Sequence, residues 1–230
     1  MDESNIYQSR DWYIKRGKTQ YRRGNIGYAI TNFTIAIEAN PDDAPLYYER
    51  ALAYAAKDDY EHAKADYTAA ITRGYDTADV CLMRGIASNH LREYDSAIAD
   101  YTEAIRRDPD CSIAYFNRAL LYFDEVGDCD HAIRDYTEVI VRRADDRDAY
   151  YMRGFAYRAK AEYESAIADF TQALRIDPMD TKSYYHRADT FKRMGQRDAA
   201  IADLKVYVQL EADPRVRYWG EKMLEEFGST

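Results

Sequence analysis

Ala97 to Pro109 reads AIADYTEAIRRDP, and Ala166 to Pro178 reads AIADFTQALRIDP, 69 residues further along the chain. In the first stretch the apolar positions Ala97, Ile98, Tyr101, Ala104 and Ile105 fall at i, i+1, i+4, i+7 and i+8. That spacing lines one face of an α-helix and cannot line one face of a strand. Asp108-Pro109 stops it, because proline has no N–H to continue the helical ladder.

The same pattern begins at Ala29, Ala63, Ala97, Ala132, Ala166 and Ala200, in steps of 34, 34, 35, 34 and 34 residues. A second set keeps its register upstream of each alanine: YIKRG at 13, YYERA at 47, CLMRG at 81, YFNRA at 115, YYMRG at 150 and YYHRA at 184. Each unit is therefore a pair of helices. Short turns bearing Gly or Asp, such as Arg23-Gly24-Asn25 and Lys57-Asp58-Asp59, join the two, so neighbours run antiparallel.

A small residue at position 8, Ala at 20, an aromatic at 24, a small residue at 27 and Pro at 32 resemble the tetratricopeptide repeat. Six units are assigned: 10–43, 44–77, 78–111, 112–146, 147–180 and 181–214, after an N-terminal extension of residues 1–9. Position 8 reads Gly17, Ala51, Gly85, Ala119, Gly154 and Ala188; position 24 reads Phe33, Tyr67, Tyr101, Tyr136, Phe170 and Leu204. The resemblance implies an all-α fold, a right-handed α-solenoid of stacked antiparallel helix pairs. In it, small residues at 8 and 20 let paired helices approach, and the position-24 side chain fills the space between one unit and the next. The fourth unit carries one extra residue in LYFDEVGDCDHA, and the prolines are replaced at Tyr75, Ala144 and Ala212. Residues 215–230 are assigned to a capping helix and tail, with Val216, Trp219, Met223 and Phe227 as its apolar stripe and Glu221, Lys222, Glu225 and Glu226 opposite.

Composition agrees with a helix-rich chain: 47% hydrophobic and 32% charged, with few glycines (10) and prolines (5). A formal charge of −9 argues against a general binder of nucleic acid or anionic membrane. Cys81, Cys111 and Cys129 show no metal-ligand spacing and no disulfide framework, which suits a reduced, cytoplasmic setting. No signal-peptide pattern and no run of about 18 apolar residues is present.

Position 7 is Arg in every unit (Arg16, Arg50, Arg84, Arg118, Arg153, Arg187), and position 23 reads Asn32, Asp66, Asp100, Asp135, Asp169 and Asp203. A buried row of like charges could persist only if paired, and guanidinium suits bidentate carboxylate pairing. An Arg–Asp bridge between the two helices of each unit is expected, in preference to an arginine ladder reading phosphate. Thr recurs at position 25 in five units without an evident reason.

No catalytic motif is present. His62, His90, His131 and His186 lack metal-ligand spacing, and Gly24-Asn25-Ile26-Gly27 is neither a P-loop nor a dinucleotide fingerprint. No metal, no cofactor and no enzymatic activity is expected. The doublets Arg106-Arg107 and Arg142-Arg143 sit in last helical turns, where cations complement the helix dipole. Tyr47, Tyr54, Tyr115, Tyr122, Tyr150 and Tyr157 fall at positions 4 and 11 and are read as packing residues.

The resemblance implies that a partner is held on the concave surface, by first-helix positions 2, 5, 6, 9, 12 and 13. The first unit places Lys15, Lys18 and Arg22 there, and the sixth Tyr185, His186 and Lys192. Between these basic ends come Tyr48 and Leu52, then Leu82, Met83 and Ile86. Phe116, Asn117, Leu120 and Phe123 follow, and then Tyr151, Met152, Phe155 and Arg158. This surface has seven cations and six anions, while the whole chain is −9. An apolar strip of that extent marks a binding site if it is exposed.

The expected function is a scaffold or adaptor holding a protein or peptide segment, with no nucleic-acid or membrane partner; the alternative is a self-associating structural module forming homo-oligomers. The family's carboxylate clamp for chaperone tails is not matched, since its Lys and Asn positions are Ile14 and Lys18 and its next Asn position is Glu49.

Overall fold

The structure, a computed structural model, describes residues 9–228. These hold thirteen α-helices and no strand. The first six are α1 (Arg10–Arg22), α2 (Ile26–Ala39), α3 (Ala44–Ala55), α4 (Tyr60–Thr72), α5 (Ala78–His90) and α6 (Tyr94–Arg107). Within α7 (Ser112–Leu121) the chain divides into two compact bodies, one up to Ala114 and one from Tyr115. Then come α8 (Cys129–Arg142), α9 (Arg147–Ala159), α10 (Tyr163–Ile176), α11 (Thr181–Arg193), α12 (Arg197–Leu210) and α13 (Pro214–Gly228). In the first body each of α1 to α5 packs on its successor, and in the second each of α8 to α12 does.

The position-20 alanines Ala29, Ala63, Ala97, Ala132, Ala166 and Ala200 are all 0% exposed, as are the six side chains at position 24. The position-24 rings reach the backbone of the first helix in their own pair. A Cβ on Gly85 would stand 2.8 Å from Tyr101 Cε1, one on Gly17 2.7 Å from Phe33 Cε1, and one on Gly154 2.9 Å from Phe170 Cε1. The small residue at position 8 is thus the seat of an aromatic ring. At Tyr67, Tyr101 and Tyr136 the hydroxyl is buried without a hydrogen-bond partner, and burial pushes each phenol well above its usual range. Phe33 and Phe170 fill the same position without a hydroxyl, so the ring alone meets the packing need.

The turn inside each pair is built the same way in every unit but the fourth, whose closing bond reaches one residue further back. One residue is left-handed: Gly24 (φ 77°), Asp58 (59°), Arg92 (60°), Gly127 (75°), Ala161 (60°) and Gly195 (72°). The next residue's N–H then bonds a carbonyl five back, as in Asn25 to Gln20 (2.9 Å), Glu93 to Ser88 (2.9 Å) and Glu162 to Tyr157 (2.9 Å), closing the Schellman motif. Only glycine adopts that backbone without a Cβ penalty. Ala161→Gly is therefore expected to raise stability by about 1 kcal/mol, and Gly195→Ala to lower it by a similar amount; thermal unfolding of both variants checks the pair.

The extra residue of the fourth unit does not lengthen a loop. It is taken up as a π-helical turn, Tyr122–Val126, at the end of α7, after which Asp128 N–H bonds Tyr122 O at 2.7 Å and α8 begins normally.

Five arginines hold the position-23 carboxylates in two-pronged bonds. Nε and Nη2 of Arg50, Arg118, Arg153 and Arg187 donate to the two oxygens of Asp66, Asp135, Asp169 and Asp203 at 2.7–2.8 Å. Arg84 brings Nη2 to 2.5 Å from Asp100 Oδ1, with Nε shared between both oxygens. The aspartates are buried, and in the second, fifth and sixth units aromatic rings at positions 4 and 11 flank the guanidinium: Arg153 lies 5.7 Å from the Tyr150 ring and 5.8 Å from Tyr157. The tyrosines read from sequence as packing residues at these positions are mostly half-buried; of the six, Tyr47 and Tyr115 are buried. The first unit differs, because Asn32 turns its amide to Tyr28 O (2.6 Å) and Arg16 lies over the Trp12 ring at 4.6 Å.

The recurrent threonine gains its reason here. Arg50 Nη1 donates to Thr34 of the preceding unit at 3.1 Å, Arg153 to Thr137 at 3.0 Å and Arg187 to Thr171 at 2.9 Å. Thr137 and Thr171 spend their own hydrogen on the carbonyl four residues back, at 2.7 Å each, which leaves a lone pair facing the arginine. One guanidinium thus ties together both helices of its own unit and the second helix of the unit before.

The C-terminal helix packs differently from the expected stripe. Gly220 and Met223 are buried, Leu224 and Phe227 are half-buried, and Val216 and Trp219 are 43% and 56% exposed. A Cβ on Gly220 would fall on the Tyr207 ring, so glycine sets how closely α13 approaches α12.

Candidate functional site

In the first body the basic side chains Lys15, Lys18 and Arg22 are exposed on α1 and border, with Asp11 and Ile14, a shallow cleft of about 320 Å³. Lys18 Nζ is paired with Glu49 at 2.7 Å, so its charge is partly committed within the fold. Tyr48, Leu52, Met83 and Ile86 are half-buried, and Leu82, expected on the open strip, is buried. Tyr48 lies 5.9 Å from the Tyr67 ring and 5.6 Å from Tyr75; burial, with Asp79 nearby, pushes its phenol up to about 12.

In the second body Phe116, Leu120, Phe123 and Met152 pack as one half-buried group against Ala119, Ala132 and Tyr136, with Phe116 edge-on to Tyr136 at 5.5 Å. Asn117 lies beside them, half-buried. Tyr151 and Phe155 meet at 5.0 Å and Phe155 meets His186 at 4.4 Å, while Tyr185 closes on His186 at 5.2 Å. The apolar residues named from sequence therefore form two partly covered floors, one per body, in which most of these side chains keep only part of their surface open. Lys192 at the far end is exposed but paired with Glu226 at 2.5 Å.

Arg158 crosses the second floor. Its Nη1 donates to Asp189 at 2.9 Å and lies 3.3 Å from His186 Nδ1, and its guanidinium carbon sits 4.6 Å over Phe155. Arginine has no lone pair to offer, so Nδ1 is the acceptor and the imidazole carries its proton on Nε2. Desolvation, reinforced by the Arg158 charge, holds His186 down at about 4 against an ordinary 6.5. A base with a depressed folded value is protonated first in the unfolded chain. Its stabilising share is thus whole above about pH 6.5 and is lost as pH falls toward 4. Replacement by Gln is expected to flatten the stability–pH curve between about pH 6.5 and 4 by about 2–3 kcal/mol, measured by urea unfolding at half-unit pH intervals.

The basic doublets noted in the sequence are engaged locally. Arg106 and Arg107 both pair with Glu103, at 2.7 and 2.6 Å, and Arg107 also reaches Asp76 at 2.5 Å; Arg142 pairs with Glu138 at 2.6 Å. His62 and His131 bond the helix-capping Asp59 and Asp128 at 2.7 and 2.5 Å. Among the described residues no group of three or more His, Cys, Asp or Glu side chains is placed to hold a metal ion, and no helix is long and apolar enough to cross a membrane.

The second body also holds a cleft of which the sequence reading named Tyr185 and His186 but not the walls that α12 and α13 add. Thr181, Lys182, Tyr185 and His186 of α11, Tyr207 of α12, Glu211 just beyond it, and Val216 and Trp219 of α13 line a cleft of about 550 Å³. Its signal was present in the repeat frame: continued past residue 214, the frame puts Val216 and Trp219 at positions 2 and 5, the open-face positions.

Helix pairs of 34-residue period, locked by a repeated Arg–Asp bridge and opening one face of variable side chains, define an all-α helical-repeat protein. Profiles of the tetratricopeptide repeat match residues 14–79, 48–101, 82–126, 148–180 and 181–214, and the chain belongs to the tetratricopeptide repeat family. No curated protein sequence matches it. Among solved structures it is similar to YrrB, described as a tetratricopeptide repeat protein with an unusual peptide-binding site. The identity is 22% over 78% of this chain and 92% of that one, with TM-score 0.70. It is similar also to PilF of Pseudomonas aeruginosa, at 18% identity over 93% and 97% of the two chains and TM-score 0.73. A third likeness is to MamA, at 22% identity, 75% and 94% coverage and TM-score 0.70. These likenesses concern the fold.

Proposed function

We propose that the protein is a non-enzymatic scaffold that holds a peptide segment of a partner protein on the open face of its first helices. The observation that carries this reading is the contrast between two kinds of position. The residues that build the stack recur almost letter for letter, whereas first-helix positions 5 and 6 read Ile14-Lys15, Tyr48-Glu49, Leu82-Met83, Phe116-Asn117, Tyr151-Met152 and Tyr185-His186. Packing does not demand that variety, and all but one of these apolar side chains keep part of their surface open. Half-open aromatics over a rigid floor are suited to anchoring a ligand, because little side-chain entropy is left to lose on binding. The likeness to YrrB, described as having an unusual peptide-binding site, supports the same reading.

The test is a pull-down from lysate with the wild type and with Phe116→Ala plus Tyr151→Ala, followed by binding measurements with the recovered partner. Loss of that partner, about tenfold or more in affinity, is expected; an unchanged partner set would refute the open-face reading.

A further inference from the structure

The cleft between α11, α12 and α13 has a composition that selects its ligand. Tyr185, Tyr207, Val216 and Trp219 supply apolar walls, and its volume of about 550 Å³ falls within the range of about 300–1,000 Å³ typical of ligand pockets. Trp219 is 56% exposed although it belongs to the helix that closes the second body, where an apolar side chain would ordinarily turn inward. It cannot turn inward, because Gly220 occupies the seam against Tyr207. Tyr207 in turn donates its hydroxyl to Val216 O at 2.7 Å, fixing the start of α13 and with it the position of the Trp219 wall.

The charges around the cleft are unequal in what they leave free. Glu211 already accepts from the Thr181 hydroxyl at 2.9 Å and from Asp213 N–H at 3.1 Å. His186 is neutral at physiological pH, with its Nδ1 facing Arg158. Lys182, exposed on the rim, has no carboxylate within ion-pairing distance, and behind His186 the Nε and Nη2 of Arg158 make no hydrogen bond. An apolar slot thus has its one acid held in place by two hydrogen bonds and one unpaired cation, Lys182, on its rim.

We infer that this cleft is the anchoring subsite for a peptide segment that inserts a bulky aromatic or aliphatic side chain between Tyr185, Tyr207 and Trp219 and sets a neighbouring Asp or Glu against Lys182. The inference rests on the peptide-scaffold reading above and adds to it the place and the residue chemistry of the anchor. A cationic peptide would be repelled by Lys182, while Glu211 already has each carboxylate oxygen engaged, and a purely polar one would leave the aromatic walls wet.

Trp12 and Trp219 are the two tryptophans of the chain, so a Trp12→Phe protein reports on the cleft by fluorescence. The experiment selects binders from a random dodecapeptide display library against this full-length protein and titrates the synthetic winners. Expected are sequences pairing an aromatic or leucine residue with Asp or Glu within two or three positions, a shift in Trp219 emission on binding, and a loss of about tenfold in affinity for Lys182→Glu. Trp219→Ala, followed by fluorescence anisotropy of a labelled peptide, is expected to lose at least as much while its melting temperature stays within a few degrees of wild type, since the side chain lies outside the core. Winners that bind both variants as tightly as the parent would overturn the cleft while leaving the scaffold reading intact. No selectable peptide at all would overturn both. Dimerisation of the parent that Trp219→Ala abolishes, with no peptide competing, would assign the cleft to a second copy of the chain and likewise overturn the proposal.

Discussion

Asp169→Ala is expected to destabilise the second body by about 3–5 kcal/mol, which makes it one of the most damaging single changes in the chain. Arg153 holds both oxygens of Asp169, at 2.8 and 2.7 Å, with side-chain exposures of 16% and 6%. Removing the carboxylate strands a guanidinium between Tyr150 and Tyr157, where water reaches it poorly and the surviving bond to Thr137 neutralises nothing. The cost reflects an uncompensated charge more than the net strength of the pair. Replacing both partners with apolar residues, Arg153→Met with Asp169→Leu, is accordingly expected to recover most of the loss. Urea unfolding of the two variants, with hydrogen exchange in α9 and α10 to place the effect, distinguishes these outcomes; equal destabilisation by both would show that the bond geometry matters more than the stranded charge.

The second large effect is expected from Phe170→Ala, at about 3–5 kcal/mol, the usual cost of emptying a fully buried phenylalanine site. Phe170 is 0% exposed and seats on Gly154, with no side chain at that glycine to move into the space. Its ring also supports the aromatic floor above it, 5.8 Å from Phe155 and 6.0 Å from Tyr151. Peptide affinity is therefore expected to fall together with stability. Gly154→Ala with Phe170→Leu, which trades ring volume for a methyl group across the same seat, is expected to restore part of the stability, as differential scanning calorimetry can read.

The repeat frame made most of this architecture readable before any coordinates. Ala at position 20 and Gly or Ala at position 8 announce close helix approach, and an Arg and an Asp sixteen or seventeen residues apart announce the bridge between paired helices, because both partners lie within one unit. Thr34, Thr137 and Thr171 were opaque for the complementary reason: their partner is in the next unit, and a pattern read within one unit cannot show it. The insertion near Tyr122 fixed that one residue was extra but not that a helix would swallow it as a π turn.

The C-terminal helix misled in an instructive way. Hydrophobicity placed its buried stripe on Val216, Trp219, Met223 and Phe227, but the residue at the tightest contact is Gly220, which carries no hydrophobic signal at all. Counting apolar side chains rotates such a helix by about one residue. On the open face the opposite error arose, since Leu82 and its half-buried neighbours look exposed in a single-helix projection, whereas in the stack Leu82 is buried and its neighbours are partly covered.

The arginine joint uses only a fixed arginine, an aspartate further along in the same unit and a threonine earlier in the unit before. Every side chain it needs is supplied at constant offsets, so a gene duplication that copies one whole period would create a new joint already complete on both sides. Loss of one period would heal in the same way. A chain assembled from such couplings is free to change in length by whole units while the face that meets the partner diversifies, and the near-identity of AIADYTEAIRRDP and AIADFTQALRIDP is the trace such a history would leave.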